Sequence, residues 1–181
     1  MFFSHSPPIF LPDRKLHSMY PAHYGKNPLF PSKMDFQVIF KNQDSGMGVM
    51  TFKAFAKGDL ICALAGDIIH DIRQHSLQIE PNVHLYDIYF SGYFLHSCDP
   101  NVYLDMKNLK VYAVKDIRPN DYLTMDYAQT EDVLFKQFPC SCGAANCRGW
   151  ITGKKELPYA DAALPNGLPL TENQFEECQS I

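Results

Sequence analysis

Three of the chain's six cysteines fall within eight residues, in the stretch FPCSCGAANCRGW, where Cys140, Cys142 and Cys147 follow the order C-x-C-x4-C. Such a cluster is either a metal site or three unconnected structural thiols. A structural zinc ion takes four ligands in a tetrahedron, so the metal reading needs a fourth residue from elsewhere. Cys62 sits in the apolar run ICALAG and Cys178 in the tail, both as ordinary buried or half-buried thiols. Cys98 differs. It lies in LHSCDPN, a polar, proline-containing turn after the aromatic run YFSGYF, and is the best candidate for the missing ligand.

Composition bears on the compartment in which such thiols would work. The 181 residues suit one domain, long enough to bury a core without disulfide staples. An apolar share of 46% and a charged share of 20% are those of a soluble globular protein. The net charge of -4 gives no general affinity for nucleic acid and is mildly compatible with a cationic substrate. No segment reaches the ~18–20 apolar residues of a membrane span. MFFSHSPPIFLPDRK lacks a basic start and is interrupted by prolines, which makes a poor signal peptide. The expected setting is intracellular, in cytoplasm or nucleus, where clustered cysteines point to metal before disulfides.

The pattern along the chain is β-rich. Residues 1–34 show no period and read as an irregular arm that packs on the domain or is partly disordered. DFQVIF alternates Phe36, Val38 and Phe40 onto one face, as a half-buried strand does. TFKAFAKGDLICALAGDII reads as short strands broken at Lys57-Gly58 and Gly66. DIRQHSLQIEP offers at most a short helix ended by Pro81, and HLYDIYF a strand. NVYLD and LKVYAVKDI flank a tight turn at Lys107 and Asn108, and YLTMDY is a last short strand. In the tail, Thr171 and Gln174 have capping-box spacing, and Leu170 with Phe175 staple spacing, so a short helix is predicted. His70 and His75 have no ligand spacing and read as surface or loop residues.

Four of these stretches, in order, resemble one family. LHSCDPN resembles the N-H-S-C-x-P-N signature of SET-domain methyltransferases, NDYLTMDY their G-E-E-L-x-x-D-Y segment, and SGMGV their G-x-G motif. FPCSCGAANCRGWI is similar to the post-SET motif C-x-C-x4-C-x-G. The resemblance runs from about residue 36 to residue 153 and is specific in combination, although each motif alone is modest. It implies a mainly β, SET-like fold of small sheets with a pseudoknot-like active site where LHSCDPN meets NDYLTMDY. The expected division is an N-terminal arm (1–34), a SET domain (35–128), a post-SET zinc segment (129–153) and a tail with a short helix (154–181).

The resemblance also implies roles. Cys98, Cys140, Cys142 and Cys147 would hold one structural zinc ion, and S-adenosylmethionine would be the methyl donor. Tyr127 aligns with the catalytic tyrosine; the bland alternative is a core tyrosine at a strand end. Gly46, Met47, Gly48, Leu95, His96, Phe138 and Trp150 fall at cofactor positions, though His96 could equally be a hydrogen-bonded structural histidine and the two aromatics simple packing. Asp126 fixes local backbone and is not a base. His84, Tyr86 and Met125 fall along the substrate channel.

The departures are Leu95 for the usual Asn, Leu64-Ala65-Gly66 for Y-x-G, His84 for a channel tyrosine and Met125 for an aromatic that sets how many methyls are added. They cluster at the nucleophile's entrance, so the fold is safer than the substrate. The implied activity is methylation of a protein lysine, with a histone tail one option, by a monomer that binds no nucleic acid directly and no membrane. The rivals are methylation of a small-molecule amine and a non-catalytic SET-like binding module.

Overall fold

The structure, a computed structural model, describes residues 17–159 and residue 168. The expected tail helix and Cys178 lie outside the described residues, as do residues 1–16 of the N-terminal arm. Strands β1 (Phe36–Asn42) and β2 (Gly46–Thr51) form an antiparallel pair. Six more follow: β3 (Leu60–Ala63), β4 (Asp67–Ile69), β5 (Ser76–Glu80), β6 (Val83–Tyr86), β7 (Leu95–His96) and β8 (Val102–Asp105). Then come β9 (Lys110–Ala113), β10 (Thr124–Met125), the one-turn helix α1 (Tyr127–Thr130), β11 (Phe138–Pro139) and β12 (Trp150–Ile151). They assemble into five small sheets: β1-β2, β3-β9-β8, β4-β6-β5, β7-β10 and β11-β12. Among the described residues, no helix is long and apolar enough to cross a membrane.

The sheets meet on a core whose centre is aromatic. Phe90 packs edge-on against Phe36 at 5.1 Å and Phe94 at 5.2 Å between ring centroids, and Phe36 stacks on Phe55. Such ring pairs add about 0.5–1.5 kcal/mol each beyond the area that they bury. The β1 alternation is only half used. Phe36 is buried, but Phe40 is 56% exposed because the strand runs past the core beyond Val38.

Residues 17–33 pack on this core as a strap. Met19 and Lys33 make backbone hydrogen bonds to Pro31 and His17, and Tyr20 is buried. The Tyr20 hydroxyl donates to Asp87 Oδ2 at 2.8 Å. Asp87, fully buried, also accepts from the Tyr89, Phe90 and Ser91 amides and from Ser91 Oγ. A buried carboxyl is tolerable only when so fully hydrogen-bonded. Cys62 is buried nearby, and burial pushes its thiol well up from the ordinary value, so it is inert.

The structure corrects three local expectations. Residues 76–80 are strand, not helix. Its alternation is masked because Gln78 is buried, its amide hydrogen-bonded to Asp132 in both directions. Pro81 and Asn82 form the two-residue turn into β6, with Asn82 at φ 62°, the pattern of a type II turn. The β8–β9 connection spans Met106 to Leu109 and not two residues. Asp105 ties it by accepting from both the amide and the side chain of Asn108. The strand in YLTMDY ends at Met125, because Asp126 turns to cap α1 by accepting the Ala128 amide at 3.2 Å.

Candidate functional site

The pair β7-β10 is parallel, with Leu95 opposite Thr124 and Met125 opposite His96. A parallel pair cannot close by a hairpin. Here Asn101 fastens it: its side-chain amide donates to the Tyr122 carbonyl, and its oxygen accepts the Thr124 amide, both at 2.8 Å. The LHSCDPN and NDYLTMDY segments therefore lie side by side.

Tyr127, just past β10, is held on three sides. Its hydroxyl donates to the Phe94 carbonyl at 2.7 Å, and its amide to His96 Nδ1 at 3.3 Å. Its ring packs edge-on against His96 and Phe138. Burial pushes the phenol well above its ordinary range, with the Glu131 charge adding to the shift, so it stays protonated.

A cleft of about 630 Å³ opens beside it. Of the residues that sequence reasoning selected, Gly46, Met47, Leu95, Met125 and Tyr127 line it. Gly46 stands at φ +67°, a conformation that favours glycine. Gly48 is not in the lining. A Cβ there would fall 2.8 Å from the Leu95 side chain and 2.9 Å from the Tyr122 ring, so its smallness lets β2 approach β7.

His96, Phe138 and Trp150 are also absent from the lining. His96 serves as a hydrogen-bonded link, and Phe138 braces Tyr127. Trp150 is buried, its indole N–H donating to Gln137 at 2.9 Å. His84 and Tyr86 lie on β6, outside this cleft. His84 is buried, burial pulls its pKa down, and its Nδ1 finds no partner among the described residues. Arg73 stands over the Tyr86 ring at 5.9 Å.

The cleft also holds residues that sequence reasoning missed. His75, expected at the surface, lines it and contacts the Gly92 carbonyl through Nδ1 at 2.8 Å. Phe135, 60% exposed, and Glu131 line it from the segment after α1. Phe135 precedes Phe138 by one helical turn's spacing in FKQF, and nothing in that spacing tells which ring faces the cleft.

The four cysteines Cys98, Cys140, Cys142 and Cys147 come together with all ligand sulfurs within 4.8 Å of one another. Four sulfurs each ~2.3 Å from one zinc ion lie roughly 3.8 Å apart, so the set fits a tetrahedral thiolate site. The Cys98 thiol is pulled well below its ordinary pKa, first by its contact with Cys140 and then by the His96 ring and the Arg148 amide. Since Tyr127 donates to His96 Nδ1, the His96 proton sits on Nε2, facing Cys98 sulfur at 3.4 Å. One imidazole thus joins the cysteine cluster to the tyrosine.

Arg148 makes a second joint. Its guanidinium donates to Asp126 Oδ1 at 2.5 Å, and both side chains are 11% exposed. The Arg148-Gly149 pair after Cys147 was the available signal, but the partner, 22 residues upstream, was not readable from it.

A family model for the SET domain matches residues 46–128. The chain is 28% identical over 159 residues to a Schizosaccharomyces pombe "Histone-lysine N-methyltransferase, H3 lysine-9 specific", across 64% of this chain and 32% of that protein. It is 28% identical over 142 residues to the Drosophila melanogaster "Histone-lysine N-methyltransferase Set2", across 65% of this chain and 6% of that protein. Among solved structures it is similar to KRYPTONITE in complex with mCHG DNA and SAH. That match has 25% identity and a TM-score of 0.54, covering 64% of this chain and 28% of that one. This chain therefore spans about a third or less of the length of these proteins.

Proposed function

We propose, from the match of residues 46–128 to a family model for the SET domain, that this chain is an S-adenosylmethionine-dependent methyltransferase acting on the ε-amine of a protein lysine. The relatives' names favour a histone tail as acceptor. The observation that carries the reading is the cleft, which gathers Gly46, Leu95 and Tyr127 from three separate motifs. Its volume is that of a small-molecule site, and the SAH in the KRYPTONITE complex is the demethylated form of the same donor.

When bound, S-adenosylmethionine supplies a methyl group already activated by its sulfonium. What remains for the protein is to orient a neutral amine and exclude water. The Tyr127 proton is committed to the Phe94 carbonyl, so the phenol offers its lone pairs. Those suit a positively polarised methyl or an amine, and they add no fixed charge. Phe94, Leu95 and Met125 make that wall of the cleft apolar. A dry wall lowers the lysine's pKa from its reference of ~10.4, because burial disfavours the ammonium form. The four cysteines would hold a structural zinc ion, which with four thiolates would leave no open position for chemistry. Ligation by Cys98, Cys140, Cys142 and Cys147 would tie the 138–151 loop to Cys98, beside the contact of Phe138 with Tyr127. The enzyme works in nucleus or cytoplasm as a monomer, and a net charge of -4 supports no direct grip on nucleic acid.

The test is transfer of labelled methyl groups from S-adenosylmethionine to histone peptides, to proteins of a cell extract and to its metabolite fraction. Lysine labelling is expected, and Tyr127→Phe should lower turnover by about 100-fold or more with the donor's Kd little changed. Label found in metabolites alone would transfer the reading to a small-molecule amine. Failure of the protein to bind the donor at all would leave the binding-module reading standing.

A further inference from the structure

Among the described residues that line the cleft, Glu131 is the only acid. It follows α1, one turn past Tyr127, and its amide donates to the Tyr127 carbonyl at 2.9 Å. The side chain is buried at 6% exposure, held where Oε1 accepts the Gln78 amide of β5 at 2.8 Å. Its charge reaches the Tyr127 phenol, whose pKa it raises. Several groups face or flank this carboxyl: Thr130 and Asp132 on either side, and Lys154, whose amide donates to the Glu131 carbonyl. Arg73, His75 and Lys136 also line the cleft.

The two forms of the donor differ by one charge at one atom. Before transfer the sulfur is a cation; afterwards it is a neutral thioether, because the positive charge has passed to the acceptor nitrogen. A carboxylate held in a half-enclosed, low-dielectric cleft distinguishes these forms far better than one in water. We propose that Glu131 determines specificity by selecting the sulfonium form of the cofactor over its neutral product, which eases product release. The inference rests on the cofactor reading of the cleft given above.

Burial pushes the Glu131 carboxyl up from an ordinary 4.5 to about 7. Selection therefore strengthens as pH rises through that value, since only the ionised form attracts the cation. The experiment is calorimetric titration of the full chain with S-adenosylmethionine and, separately, with SAH, at about pH 6 and about pH 8.5, for the unaltered protein, Glu131→Gln and Glu131→Asp.

The glutamine keeps an oxygen for the Gln78 amide, so it preserves the fold while removing the charge. It should bind S-adenosylmethionine about ten-fold more weakly, with SAH changed by less than about two-fold. The pH dependence of the preference should vanish in Glu131→Gln and persist in Glu131→Asp. Should the glutamine variant not fold, the unaltered protein's preference must still rise with pH. Equal losses for both ligands, no loss for either, or a preference flat with pH would each overturn the role of Glu131 while leaving the cleft a cofactor site. Binding of neither ligand by the unaltered protein would overturn both readings.

Discussion

Removing the Arg148 guanidinium should cost the molecule more than any surface ion pair can. Arg148→Met keeps most of the aliphatic stem and deletes the charge, leaving Asp126 Oδ1 with only the Ala128 amide at 3.2 Å. Breaking a fully buried pair by removing one partner costs about 3–5 kcal/mol. With each side chain 11% exposed, some water reaches the orphaned carboxylate, and the loss should be about 2–3 kcal/mol. In a chain of this size that corresponds to a drop of roughly 4–12 °C in Tm. Lys115→Met is the control: its pair with Asp99 joins side chains 42% and 60% exposed, and less than about 1 kcal/mol should be lost.

The decisive variant is the double one. Asp126→Asn carries no charge but keeps an oxygen for the Ala128 amide, so Arg148→Met combined with Asp126→Asn should recover at least half of the loss. The assay is denaturant unfolding of zinc-loaded protein for both singles and the double. If Arg148→Met fell within about 0.5 kcal/mol of the unaltered protein, or if the double were no more stable than the single, the argument from an unpaired buried charge would be refuted.

Three further expectations follow from the same geometry. Cys98→Ser should abolish the single zinc ion per chain and loosen the fold beyond residue 138, because a structural metal supplies folding free energy; elemental analysis that finds no zinc in unaltered protein purified without chelator would refute it. Met125, buried in the cleft wall, is flexible and lacks a hydroxyl to hold a water. The enzyme should therefore pass beyond monomethyl-lysine and Met125→Tyr should shift product back toward it, as read by mass spectrometry over time with excess donor. Glu131, raised from 4.5 to about 7, favours the protonated fold. The donor-free protein should then lose about 3 kcal/mol as pH climbs from below 4.5 to above 7, at ~1.4 kcal/mol per pKa unit. Comparison of unfolding free energies with Glu131→Gln over that range would isolate the loss, and identical pH profiles would contradict it.

What could be read from the sequence was what local spacing encodes. The β-rich class followed from short alternating runs, the three clustered cysteines from their own spacing, and Cys98 from its polar, proline-containing turn; the resemblance then joined the four as one ligand set. What could not be read was the partner of each buried polar group. Gln78 interrupts the alternation of β5 because it is pinned to Asp132, 54 residues away. Tyr20 sits in what reads as a shapeless arm, yet it donates to Asp87, 67 residues on. The cleft posed the same difficulty: Phe138 and Trp150 were the visible aromatics near the cysteines, but Trp150 turns inward to Gln137, and exposed Phe135 and buried Glu131 line the cleft instead.

The arrangement of the four sulfurs also sets an order of assembly. Cys140 and Cys147 are seven residues apart, whereas Cys98 precedes Cys140 by 42. Closing the longer loop costs roughly 1.6 kcal/mol more chain entropy than closing the shorter. A metal ion meeting the unfolded chain is therefore captured first by the local trio, and Cys98 joins only once β7 has found β10. Until then its sulfur remains open to alkylation. The rate at which Cys98 alone becomes protected thus times the moment when the two distant halves of the cleft close on each other.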